Sequence, residues 1–299
     1  MNPARLHSRA MEDPNLKTLL LEWHLRPDVL LVLVATAGAY AVGWWRLRRA
    51  GHRLIARGWR LLSYLSGLVF VAVALMSPIG YLAHQLFTAH MIQHILLIMV
   101  AAPLLLLGNP LPASLWGLPK GLRHSVGRLL VRGAFMRNAI WALTLMPVAW
   151  IAYVGNLWLW HLPVAYQAAL RHHAVHDLEH LLFFGTAILF WWPIIEPAPR
   201  LHGLVHSAFG ILYLIAATGQ NTLLGALLAL PERLIYPYYA EPPRLFGLTP
   251  LEDQALAGGI MWSMGHMYLI PLLLLVARIL NRQEEANRRA EAIERRSVS

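Results

Sequence analysis

Long apolar runs separated by short polar connections dominate this chain. Each run approaches the roughly 20 residues that an α-helix needs to cross a lipid hydrocarbon core. The pattern therefore predicts an all-α, polytopic membrane protein with about seven transmembrane helices, because helices satisfy their own backbone polar groups in lipid. We expect these spans at residues 28–45, 59–77, 87–107, 138–156, 176–194, 203–228 and 257–280.

Basic residues orient the predicted bundle. Arg and Lys are concentrated in the connections after the first and third spans and in the tail after the seventh. The positive-inside rule then places the N-terminus outside and the C-terminus in the cytoplasm. We expect an N-terminal tail outside at 1–27, a transmembrane domain at 28–280 and a charged cytoplasmic tail at 281–299, in a bacterial cytoplasmic (inner) membrane.

Composition supports a membrane protein, disfavours nucleic-acid binding and excludes cysteine chemistry. The 299 residues are 58% hydrophobic and 13% charged, where a soluble domain has about a quarter charged residues. The net charge of +10 lies in short connections, which fits membrane topology and not nucleic-acid binding. The chain has no Cys, so thiolate metal sites and disulfides are excluded.

Histidines collect on the side predicted to be outer. His90 and His94 lie in the third span, and His176 and His180 repeat their spacing in the fifth, so each pair shares one helix face. His266, in the seventh span, is expected at a depth similar to that of His94 and His180. An ionisable group in hydrocarbon costs at least about 2.5 kcal/mol and faces a partner inside the bundle. The five histidines therefore predict a shared metal ion.

Methionines and acidic residues near these histidines narrow the choice of metal. Imidazole binds copper, zinc, iron and nickel, whereas thioether favours Cu(I). Glu179, beside His180, is a candidate for an additional ligand or for orienting the imidazoles from outside the coordination sphere. The methionines favour copper over zinc or haem, and the ones beside the histidines are Met91, Met261, Met264 and Met267.

Three other interpretations stay open on the residues alone. A His pair at helical spacing also serves as a hydrogen-bonding pair between helices. His176-Asp-Leu-Glu-His180 matches the inverted zinc-peptidase pattern, in which Glu179 is the general base of a hydrolase. Histidines on two helices can also ligate haem.

The chain resembles the CtaG family of membrane proteins associated with cytochrome c oxidase assembly, particularly its Bacillus-type members. The resemblance covers the chain from about Trp23 to Leu280 and rests on local motifs in order. These are Ser77-Pro78, His90-Met91-Ile92-Gln93-His94, Ala102-Pro103-Leu104 with Gly108, His161-Leu-Pro163 with Tyr166, His176 with Glu179 and His180, Phe190-Trp191-Trp192-Pro193, Tyr236-Pro237-Tyr238, Asp253-Gln254, Ala257-Gly258 and Met261-Trp262.

The resemblance implies a non-enzymatic assembly factor that helps copper reach the catalytic subunit of a haem-copper oxidase. It adds Asp253 to the candidate site, at the outer mouth, either attracting a cation or capping a helix. The implied partners are oxidase subunits and a periplasmic copper donor, with no nucleic acid. A zinc-dependent intramembrane hydrolase and a metal-free assembly scaffold are the alternatives.

Overall fold

The protein is helical throughout the part that the computed structural model describes. That part comprises residues 23–131, 133–199, 201–202, 207–243 and 245–298, so most of the predicted N-terminal tail and the start of the predicted sixth span lie outside it. In chain order the helices are α1 (Pro27–Arg49), α2 (Gly58–Met76), α3 (Pro78–Leu82), α4 (Phe87–Ile95), α5 (Ala102–Leu107), α6 (Pro110–Gly117), α7 (Lys120–Leu129), α8 (Phe135–Leu143), α9 (Met146–Trp160), α10 (Pro163–Arg171), α11 (His173–Ile195), α12 (Ser207–Ala229), α13 (Pro250–Met264) and α14 (Leu269–Val298).

The number of membrane spans agrees with the sequence pattern. Six helical segments of the described residues are long and apolar enough to cross a membrane, and a seventh span results if α8 and α9 are counted as one bent span. The prediction of an all-α, multi-pass membrane protein is confirmed. The third span runs from Phe87 to Leu107 as predicted, whereas the last is longer, from Pro250 to Glu285.

The fourth span is broken where it was predicted to be continuous. α8 and α9 meet at an angle of 67°. Pro147 lies in the first turn of α9, and proline has no N–H to continue a helix and disfavours helical backbone in the residue before it. The Thr144 hydroxyl donates to the Ile140 carbonyl oxygen at 2.7 Å, which satisfies one carbonyl at the break.

The third span contains a change of helical pitch below its histidines. A π-helical turn, Leu96–Ala101, joins α4 to α5. The Trp191 indole of α11 donates to the Ile98 carbonyl oxygen in this turn at 2.9 Å. The turn is therefore held against α11, the helix that carries the second pair of histidines.

Small residues bring α12 and α13 into close contact. A Cβ on Gly225 would lie 2.8 Å from the Trp262 Cα, and a Cβ on Gly258 would lie 2.8 Å from the Ala229 Cα. Small residues commonly allow helices to pack this closely in membranes. Gly258 therefore permits the close approach, whereas its neighbour Gly259 has no described atom within 4 Å of its Cβ position.

We predict opposite effects for two adjacent substitutions. Gly258→Ala should lower the free energy of unfolding by about 1–3 kcal/mol, the usual cost of overpacking, because the backbone of Ala229 blocks the new methyl group. Gly259→Ala should be neutral or stabilising by up to about 1 kcal/mol, because alanine favours the helix. Thermal unfolding of the two variants in detergent measures both. Equal losses of stability would contradict the close approach.

Candidate metal centre

Two helices supply the ionisable groups of a buried cluster. α4 carries His90 and His94, and α11 carries His176, Glu179 and His180. Residues three and four apart share a helix face, so each helix presents its groups as one stripe. All five side chains are buried, with His90 and Glu179 0% exposed. We call these five residues the inner cluster.

The ligand atoms of the inner cluster lie close enough to hold one ion. The Nε2 atoms of His90 and His94 are 3.0 Å apart. The Glu179 carboxylate lies 3.8 Å from His90 Nε2 and 3.9 Å from His94 Nε2. Two groups of three residues have ligand atoms within 4.8 Å of one another, and both groups include His90. The groups are His90, His94 and His180, and His90, His176 and Glu179.

Several of these atoms lack a hydrogen-bond partner among the described residues. They are the Nε2 atoms of His176 and His180 and both carboxylate oxygens of Glu179. A buried polar group without a partner costs about 1–3 kcal/mol, and more if it is charged. A cation bound by these atoms would offset that cost, and neutral imidazole with carboxylate is a common donor set for transition metals. The inner cluster can therefore hold a metal ion.

Tyr239 fixes the orientation of His90. Its hydroxyl lies 3.1 Å from the Ala83 carbonyl oxygen, 3.1 Å from His90 Nδ1 and 3.1 Å from the Tyr166 hydroxyl. Since a carbonyl only accepts, the Tyr239 proton goes to Ala83 and the hydroxyl accepts from His90 Nδ1–H. The lone pair of His90 then lies on Nε2, which faces His94 and Glu179. Such outer hydrogen bonds orient metal-binding imidazoles.

Asp253 anchors the start of α4 and does not enter the inner cluster. Its carboxylate accepts from the backbone N–H of Phe87 at 2.6 Å and of Thr88 at 3.0 Å. Free N–H groups at a helix N-terminus favour an anionic acceptor. Asp253 thus caps a helix other than its own, since Thr249 caps α13. The contact sets how far α4 enters the bundle and hence the depth of His90.

The other predicted site residues lie elsewhere. Met91, Met261 and Met264 are buried in the apolar core. Met267 is half-buried and lines an apolar cavity of about 250 Å³ with Met99 and Trp191. These positions make packing the observed role of the methionines.

The structure does not bring His266 to the inner cluster, contrary to our expectation. Its ring is exposed, and its Nδ1 lies 3.2 Å from the Ser263 carbonyl oxygen. The buried face of this segment follows Ala257, Met261, Met264 and Tyr268. His266 falls two residues after Met264, on a different face of the helix.

A cavity of about 410 Å³ opens beside the inner cluster, at the end of the bundle where α4 and α11 begin. His84, which precedes α4, lines it together with His173 and His176. Burial, and to a lesser extent the nearby His173, lowers the pKa of His84 below its usual range. The sequence patterns predicted neither His84 nor Tyr239 as a site residue. The one available signal was the position of His84 in the short connection before His90.

This chain is similar to known proteins over most of its length. A family model described as cytochrome c oxidase caa3 assembly factor (Caa3_CtaG) matches residues 38–283. The uncharacterized protein Mb0105 of Mycobacterium bovis is 24% identical over 301 residues, which cover 95% of this chain and 43% of that protein.

The uncharacterized protein ML1998 of Mycobacterium leprae is 23% identical over 274 residues, which cover 90% of this chain and 40% of that protein. This chain therefore spans less than half the length of these curated relatives. No solved structure matches it.

We predict that Asp253→Ala loosens the start of α4. The substitution removes the acceptor of two backbone hydrogen bonds, and loss of a helix cap costs about 0.5–2 kcal/mol. Hydrogen–deuterium exchange should accelerate in the peptide that begins at Phe87. Asp253→Asn, which keeps one acceptor oxygen, should give a smaller acceleration. Exchange as slow as in the unaltered protein for Asp253→Ala would contradict the assigned cap.

Proposed function

The chain belongs to the cytochrome c oxidase caa3 assembly factor family, and we propose that it binds copper at the inner cluster and delivers it to the catalytic subunit of a haem-copper oxidase. Membership of this family, expected from the sequence motifs, is confirmed by the match. The single observation that carries the proposal is the set of buried imidazoles around Glu179, whose oxygens have no hydrogen-bond partner among the described residues. A structural hydrogen-bonding cluster would satisfy those atoms.

Charge balance favours Cu(I) over a divalent ion in this site. The inner cluster holds one carboxylate, Glu179, among four imidazoles. A monovalent ion bound to Glu179 gives a neutral centre, whereas a divalent ion leaves a net positive charge in apolar surroundings, which is costly. The methionines contribute no support, because they pack in the core. The choice of copper over other metals therefore rests on this balance and on the family's association with an oxidase.

The proposed orientation places the inner cluster in the outer leaflet. Arg26, just before α1, pairs with Asp177 beside His176, so Arg46, Arg48 and Arg49 in the last turn of α1 lie at the opposite end of the bundle from the histidines. Under the positive-inside rule that end faces the cytoplasm of a bacterial inner membrane. The cavity beside His176 then opens outside, where a periplasmic copper donor is accessible. The charged tail at 281–299 lies in the cytoplasm in this arrangement.

A carrier needs ligands that exchange, and the arrangement of the inner cluster supports this role. Its two groups of three residues share His90, so an ion can keep one ligand while it changes the others. A closed four-ligand cage, typical of structural metal sites, would hold its ion without exchange. We infer that the site is built for transfer rather than for a permanent structural ion, and that no reaction is catalysed there.

We predict that purified protein from copper-supplemented cells contains copper that depends on His90. His90→Gln should lose most of the copper, because His90 is the ligand that both groups of three share. His266→Gln is the matched control and should keep the copper, because His266 is exposed and remote from the cluster. Metal content by mass spectrometry measures all three proteins.

Other outcomes of this measurement identify the alternatives. Zinc in place of copper, with peptide hydrolysis that Glu179→Gln abolishes, would indicate a hydrolase with Glu179 as general base. Absence of any metal, with oxidase maturation retained in His90→Gln, would indicate a scaffold. Loss of copper in His266→Gln would contradict the assigned ligand set.

We also predict that Tyr239→Phe weakens copper binding by about 10–100-fold, the usual effect of removing a hydrogen bond that orients a ligand. The substitution leaves His90 in place but frees its ring to turn. Tyr238→Phe is the control, because Tyr238 lies beside Arg171 and not at the cluster. Competition with a chromophoric Cu(I) chelator measures both affinities. Equal affinities would contradict the orienting role of Tyr239.

A further inference from the structure

Further histidines line the cavity that opens beside the inner cluster. The cavity of about 410 Å³ is bounded by residues from the segment before α1, from α2 and α3, from the α3–α4 connection and from the start of α11. Five of its lining residues are histidines: His24, His84 and His173 lie outside the inner cluster, and His176 and His180 belong to it. His84 and His173 belong to neither of the ligand groups described above.

The histidine rings form a continuous series from His173 and His84 in the cavity to the inner cluster. The His84 centroid lies 6.1 Å from that of His173 and 5.0 Å from that of His176. The His176 centroid lies 4.2 Å from that of His180 and 5.3 Å from that of His90. Each step therefore joins two rings on neighbouring elements or on adjacent turns of one helix.

These separations match two imidazoles that share one ion. A metal–imidazole bond is about 2.0 Å long, so two rings on opposite sides of one ion have centroids about 6 Å apart or less when the bonds are bent. The centroid separation of each successive pair in the series is compatible with this condition. An ion can thus pass from pair to pair by ligand exchange without crossing the cavity unbound.

The charges at the mouth favour a cation. Arg26 lines the cavity, but it pairs with Asp177 at 2.5 Å and with Asp28 at 2.6 Å. Hydrogen bonds to Asp28 and Asp177 raise the pKa of Arg26 further above its usual value, so it stays charged. Arg26 and Asp177 thus neutralise each other in the lining of the cavity, and Asp28, which lies beside Arg26 but outside the lining, gives this group of three a net charge of −1, which raises the local concentration of cations.

We propose that His84 and His173 form a capture site for Cu(I) at the mouth of the cavity, and that His176 passes the ion from this site to the inner cluster. The proposal rests on the proposed function and adds the access route and its first ligands. The capture site raises the effective concentration of the ion beside the inner cluster, so it acts on the rate of loading. The inner cluster sets how much metal is finally retained.

The test compares loading kinetics with final copper content. Detergent-purified, metal-free protein of this sequence is mixed with Cu(I) held by bicinchoninate, and the loss of the chelator's colour reports transfer. His84→Gln should slow loading by about tenfold or more, because the local supply at the inner cluster falls, and should reach the same plateau as the unaltered protein. His172→Gln is the control, since His172 is exposed and does not line the cavity.

The side chain of His84 is half-buried, so slow loading of His84→Gln would also result from a folding defect. A second variant separates the two causes. His173→Gln alters an exposed side chain at the start of α11 and should also slow loading, while His172→Gln loads at the unaltered rate. Unaltered rates in both His84→Gln and His173→Gln would overturn the capture site. A plateau in His84→Gln as low as in His90→Gln would also overturn it, by placing His84 in the inner cluster.

Failure of the proposed function gives a different result. If the unaltered protein takes up no Cu(I), the plateau itself is zero, and both the carrier function and its access route are overturned together. If the unaltered protein loads and the mouth variants load equally fast, the carrier function stands and the capture site alone fails. The rate and the plateau therefore separate the two failures.

Discussion

A carboxylate enclosed by imidazoles inside an apolar bundle is the constraint on which the rest of this structure depends. Glu179 is 0% exposed and lies within 4 Å of both histidines of α4. Desolvation of such a group is costly unless a cation is close and well placed. α4 must therefore sit at a fixed height against α11, and the fold supplies that height from α13, through the hydrogen bonds between Asp253 and the first turn of α4.

The sequence predicted those features that depend on local spacing. A membrane span requires only sufficient apolar length, so the number of spans and the limits of the third span, Phe87 to Leu107, were predictable. The pairing of His90 with His94 and of His176 with His180 also follows from helical spacing alone. That the two pairs face each other was an inference from depth, and the structure brings them together.

Features that depend on helix phase or on distant connections were not predictable. The seventh span was expected to begin at residue 257, whereas α13 begins at Pro250, and the depth argument for His266 took no account of which face turns inward. Tyr239 reaches His90 from a short 3₁₀ segment 149 residues further along the chain. Asp253 caps a helix remote in sequence. No pattern within one helix reveals contacts of this kind.

His90 belongs to both ligand groups, and this sharing limits the capacity of the site. Tyr239 occupies its Nδ1, which leaves a single inward nitrogen, Nε2, for a metal. One lone pair serves one ion, so the two groups are alternative positions for a single ion and not a binuclear centre. The inner cluster of each chain then holds one ion at a time, and under the proposed function an oxidase that needs several copper ions must receive them in successive deliveries or from several copies of this chain.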